Sequence, residues 1–128
     1  MNRAFLYLCG VLYLGYGLWV LLSPSTSLAY LGVDPSLVNA MSDLHGSHGG
    51  LNVVVGLFLL WSAGQQDWFR YGLWLVFLMN LGYLGGRVVA LISDGMPTGI
   101  VPAVMLMEAV LVVVAFMFAR AQQQRGVS

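Results

Sequence analysis

Four long apolar stretches alternate with short polar breaks along this chain. Residues 4–22 carry no charge, and Pro24 stops the stretch because proline has no amide N–H to give a helix. Residues 44–63 are interrupted only by His45, His48 and Asn52. After the turn Gly64-Gln65-Gln66-Asp67, residues 70–92 hold Asn80 and Arg87. After Ser93-Asp94-Gly95-Met96-Pro97, residues 100–119 hold Glu108 as their one charge. A helix needs about 20 apolar residues to cross a bilayer core. The pattern therefore predicts four transmembrane helices, followed by a frayed polar tail over residues 120–128. Residues 25–39 are too short and mixed to span; Leu28, Tyr30, Leu31 and Val33 predict a short element on the outer membrane face. A signal peptide is the alternative for the first stretch, with Arg3 as its positive start and Ser27-Leu28-Ala29 as a weak cleavage site. A span is preferred, because a signal core runs only about 7–15 residues.

Composition narrows the class. The 128 residues are 59% hydrophobic and 8% charged, against roughly 25% charged in soluble domains. A soluble enzyme is excluded, since so few charges could not cover a globule. Zero net charge and no basic patch exclude a nucleic-acid binder, and the apolar content excludes disorder. The single Cys9 forms no intramolecular disulfide and reads as a small packing residue. The expected fold is all-α: one integral membrane four-helix bundle over residues 1–128. Arg3, Arg70, Arg120 and Arg125 gather at the termini and the middle turn, while the other two loops hold Asp34, Asp43 and Asp94. By the positive-inside rule, both termini are cytoplasmic. Trp61, Trp68 and Trp74 would mark that interface, and Trp19 and Tyr30 the other.

The informative polar groups lie inside the spans, where ionisable side chains are costly and usually face the protein interior. His45, His48 and Asn52 share one face of the second span at α-helical spacing, as do Asn80, Tyr83 and Arg87 on the third. Counting at about 1.5 Å per residue, Arg87 lies roughly 26 Å from Arg70, and Glu108 about 12 Å in from Ile100. Asp43 and Asp94 would cap the outer ends of spans two and three. Asp43, His45, His48, Asn52, Arg87, Asp94 and Glu108 are thus expected to converge on the outer half of the bundle. Arg87 and Glu108 would either form an ion pair fixing helix register or anchor a functional pocket. The H-x-x-H spacing of His45 and His48 could place two imidazoles toward one metal, with Asp43, Asp94 or Glu108 as the third ligand, but two histidines three apart are a weak signal alone; neither a metal nor a cofactor is expected. Gly46 with Gly50 and Gly82 with Gly86 are four apart, and small residues at that spacing let helices approach closely. They are expected to pack spans two and three, or to form a dimer face. Gly85 and Gly86 would leave space for a ligand beside Arg87. Tyr16-Gly17-Leu18-Trp19 is echoed by Tyr71-Gly72-Leu73-Trp74, a faint sign of duplication.

The block Asp43-Leu44-His45-Gly46-Ser47-His48-Gly49-Gly50-Leu51-Asn52, with Gly82-Tyr83-Leu84-Gly85-Gly86-Arg87, Asp94-Gly95 and Glu108, resembles a family of small bacterial four-span proteins. The family is described as domain of unknown function four-three-four-five, and is distantly similar to the DoxX-type membrane proteins. His45 stands where that pattern has arginine. The resemblance covers nearly the whole chain and implies a four-helix fold in a bacterial inner membrane, without supplying an activity.

These readings lead to a small membrane protein with a polar cavity, binding an amphipathic or lipid-like molecule or serving as an accessory subunit. Arg87 would meet an anionic or carbonyl group, with Glu108, Asn52, His45, His48, Asp43, Asp94 and Tyr83 around it. The competing class is a membrane-embedded isomerase, cyclase or hydrolase, with Glu108 or His48 as general acid or base on a lipophilic substrate. Expected partners are the bilayer, a lipophilic small molecule, and a second copy or another membrane protein.

Overall fold

The computed structural model describes residues 2–29, 32–34 and 36–125. Helix α1 runs Asn2–Leu22 and a short α2 runs Pro24–Ser27. Pro24 both ends α1 and opens α2, since its missing N–H is harmless in a first turn. Helix α3 (Val38–Leu44) continues through a π-helical segment, His45–Gly50, into α4 (Leu51–Gly64). Helices α5 (Phe69–Ser93) and α6 (Val101–Arg125) complete the chain. Four helical stretches are long and apolar enough to cross a membrane: Arg3–Leu22, Val38–Gly64, Phe69–Ser93 and Val101–Gln124.

Two boundaries differ from the hydrophobic pattern. The second span begins at Val38 rather than residue 44, because Asn39, Ser42 and Asp43 lower the hydropathy without opposing helix. Asp43 therefore lies within α3 rather than capping a helix end, and the residue before α3 is Leu37, without a side-chain cap. At about 1.5 Å per residue the 27 residues of this span reach roughly 40 Å, more than the hydrocarbon thickness. The predicted polar tail is helical as far as Arg125: Arg120 folds its guanidinium over Phe116, 5.6 Å from the ring centre, and the glutamines extend the helix. Residues 126–128 lie outside the described residues. So do Tyr30 and Leu31 of the expected surface element, of which α2 is the described helical part.

The chain divides into two compact units, Met1–Gln66 and Asp67–Ser128. In the first, α1 packs along the second span, with Leu6, Cys9, Val20, Val55, Leu59 and Ala63 buried. Glycine sets this contact. A methyl on Gly17 would meet the Val53 amide nitrogen at 2.7 Å and the Gly49 carbonyl oxygen at 2.8 Å. One on Gly56 would collide with the backbone of Leu14, and one on Gly49 would meet the Leu21 side chain at 2.6 Å. Gly10 completes the set against Leu60 at 2.8 Å. Gly10 and Gly17, like Gly49 and Gly56, are seven residues apart, two turns along one helix face. In lipid the helices gain nothing from hiding apolar surface, so this close van der Waals contact is what associates them.

The glycines singled out by spacing of four play a different part. A methyl on Gly46, Gly82, Gly85 or Gly86 would meet nothing within 4 Å, and one on Gly50 only the His45 carbonyl at 3.8 Å. Within the first unit, span two closes on span one through Gly49 and Gly56 rather than through Gly46 and Gly50.

In the second unit, α5 packs against α6, with Phe69, Leu73, Val76, Ala115 and Ala119 buried. Trp74, Phe77 and Phe116 form an aromatic cluster with ring centres 5.5–6.1 Å apart. Gly95, at φ +96°, takes the left-handed turn that ends α5 just after Asp94.

Candidate functional site

Each unit carries its own polar cluster. In the second, Arg87 and Glu108 meet across α5 and α6. Arg87 lies six residues before the end of α5 and Glu108 seven after the start of α6, so each is about 9–10 Å along its helix from the same connecting loop. The antiparallel pairing brings them level. The contact is made side-on: Arg87 Nε–H donates to both carboxylate oxygens, at 3.1 Å to Oε1 and 3.0 Å to Oε2. The Glu108 side chain is 6% exposed, that of Arg87 21%.

The usual guanidinium–carboxylate fork uses two parallel N–H groups. Here one N–H is shared, and among the described residues the two terminal amino groups of Arg87 find no acceptor. Among those residues no buried side-chain nitrogen or oxygen lacks a partner, so these amino groups lie at accessible surface. Gly85 and Gly86, immediately before Arg87, put no side chain beside it and have open space where a methyl would stand. Asn80 is buried and turns its amide onto the Val76 carbonyl at 2.8 Å, within its own helix. Tyr83 is half-buried one turn before Arg87, and Asp94 is exposed after α5, its backbone N–H donating to Ala90 at 2.7 Å.

The first unit's cluster is built on the π-helical segment. Its hydrogen bonds close over five residues, as in Leu51 N–H to the Gly46 carbonyl. Such turns hold more residues than α turns, so His45, His48 and Asn52 spread wider round the axis than α spacing implies. Asn52, buried, reaches back with its side-chain amide to the carbonyls of Ser47 at 3.1 Å and His48 at 2.9 Å. Ser47 Oγ donates to the Asp43 carbonyl at 2.7 Å. His48 is half-buried and hydrogen bonded through Nδ1 to Tyr16 Oη at 3.1 Å, the rings meeting edge to face at 75°. His45 is half-buried at the start of the segment, and Asp43 is exposed. Among the described residues no three His, Cys, Asp or Glu side chains gather as a metal-ligand set.

The structure thus joins Arg87 to Glu108 and His48 to Asn52, and adds Tyr16, which the hydrophobic pattern concealed inside the first span. Its one sequence signal is a phenol beside Gly17, one of the glycines at which α1 closes on the second span.

Comparison with known proteins yields one family. No curated protein and no solved structure matches the chain. Residues 1–119 match the model of DUF4345, a domain of unknown function. That match takes in the first three apolar helices, most of the fourth and both polar clusters, and the chain belongs to the DUF4345 family, as a multi-pass protein of the bacterial inner membrane.

Proposed function

We propose that this protein binds a small amphipathic, lipid-like molecule, with the Arg87–Glu108 pair as the polar anchor. The observation that supports this is the side-on ion pair: Glu108 holds Arg87 by Nε alone, and the terminal amino groups face accessible surface with no acceptor among the described residues. A pair serving only as an internal clasp would use its donors on the carboxylate. Guanidinium groups kept unsatisfied within a membrane are costly, so an acceptor from a ligand is the natural complement. Tyr83 on the same helix and Asp94 just beyond its end would add polar groups. In the first unit, His45, His48, Asn52 and Asp43 would add polar groups on and beside the π-helical segment. Both termini are assigned to the cytoplasm, from the placement of Arg3, Arg70 and Arg120.

The test is mass spectrometry of molecules that co-purify with the protein in native lipid particles. One amphiphile class should be enriched over bulk lipid. It should disappear in the double variant Arg87→Gln/Glu108→Gln, which keeps a hydrogen-bonded neutral pair and hence the fold. A co-purified profile equal to bulk lipid in both proteins would defeat the reading.

A further inference from the structure

We infer that the ligand's polar end at Arg87 is an uncharged carbonyl acceptor rather than an anion. The inference rests on the proposed ligand site and narrows its chemistry. Arginine inside a membrane protein ordinarily suggests an anionic partner. Here Glu108 already supplies the countercharge, at 3.0 Å from Nε. With the carboxylate on Nε, an anion shared by the terminal amino groups would sit about 4 Å from the guanidinium centre and about 7 Å from the carboxylate, and because Coulomb energy scales inversely with distance, repulsion by Glu108 cancels about half of the attraction to Arg87. The remainder must offset stripping water from the anion, and the occupied site would hold one net negative charge within the span.

A carbonyl oxygen escapes both penalties. It accepts the free N–H groups through its lone pairs, carries little hydration to lose, and leaves the site neutral. Gly85 and Gly86 let the attached apolar chain lie along the backbone of α5 next to the head, with no side chain in the way. Ester and ketone carbonyls on a lipophilic chain share this chemistry. They have two sources: the ester groups of bilayer glycerolipids, or a separate neutral lipophile.

The experiment compares two probes on the purified full-length protein in nanodiscs of ether-linked phospholipid, which contain no ester carbonyl. The probes are methyl palmitate, neutral, and hexadecanesulfonate, anionic at every pH. Methyl palmitate should bind wild type about tenfold more tightly. In Glu108→Gln the sulfonate should gain by about the same factor, because its repelling neighbour has gone. Equal binding, or tighter sulfonate binding, in wild type overturns the inference while leaving the ligand site standing. Failure of both probes to bind the folded protein sinks the ligand site itself. The wild-type comparison alone decides, should Glu108→Gln fail to fold. Repeating the titration in ester-linked nanodiscs separates the sources: a bilayer ester competes the probe away, whereas selectivity for a separate lipophile leaves its affinity unchanged.

Discussion

At the residue scale, the Arg87–Glu108 pair shows how one shared N–H changes the meaning of an ion pair. Removing the carboxylate strands a partly buried guanidinium. Glu108→Ala should therefore destabilise the protein by about 3 kcal/mol, while Arg87→Gln/Glu108→Gln recovers most of that loss. Thermal unfolding of both variants in detergent checks this; a Glu108→Ala transition equal to wild type would show the pair to be energetically idle. Asp34 behaves differently, because it lies in the exposed segment before α3. Its Oδ1 accepts the Ser36 amide at 2.9 Å, and that backbone hydrogen bond holds its carboxyl below the ordinary value. A carboxylate whose pKa is lower folded than unfolded favours the folded turn above its unfolded value, and the effect is lost as pH falls through the folded value. The Ser36 amide should accordingly be protected from hydrogen exchange near neutral pH and lose that protection in acid. An Asp34→Asn variant should show a flatter profile.

At the element scale, the second span joins two devices in one helix. In its π-helical segment the Asn52 amide donates to the Ser47 and His48 carbonyls, and its glycines set the approach of α1. Glycine spacing was visible in the sequence, yet spacing does not say which face meets a neighbour. Gly56 lies against the Leu14 backbone, which cannot yield as a side chain would. Gly56→Ala should lower stability by about 2–3 kcal/mol through overpacking. Gly82→Ala meets open space and removes a flexible residue from a helix, so it should be neutral or raise stability by up to about 1 kcal/mol. Equal melting temperatures for the two variants would contradict the glycine contact between α1 and α4.

At the scale of the whole molecule, the arginine placement makes a prediction about sidedness. On a background of Cys9→Ala, a cysteine at Asp94 should react with an impermeant maleimide in intact cells, and one at Gln65 only after the membrane is opened. The opposite pattern would invert the assigned topology. The number and class of the helices were legible from the sequence because run length and lack of charge decide between lipid and water, and neither depends on how helices meet. Span three, read as residues 70–92 and found as Phe69–Ser93, is the clearest case. The α3 start and the helical tail were misread, since hydropathy measures preference for lipid rather than helix formation. The Arg87–Glu108 pairing was foreseen as one of two alternatives, because two opposite charges buried in adjacent spans have few other ways to be neutralised. Its side-on geometry, the Tyr16–His48 bond and the choice of Gly49 and Gly56 over Gly46 and Gly50 were not. Those features depend on the rotation of each helix about its axis, and a π-helical insertion shifts that rotation without leaving a mark in the hydrophobic pattern. The sequence by itself determined that this is a membrane protein of four apolar helices with rare charges inside; only tertiary packing decided which of those groups touch, and with which atoms.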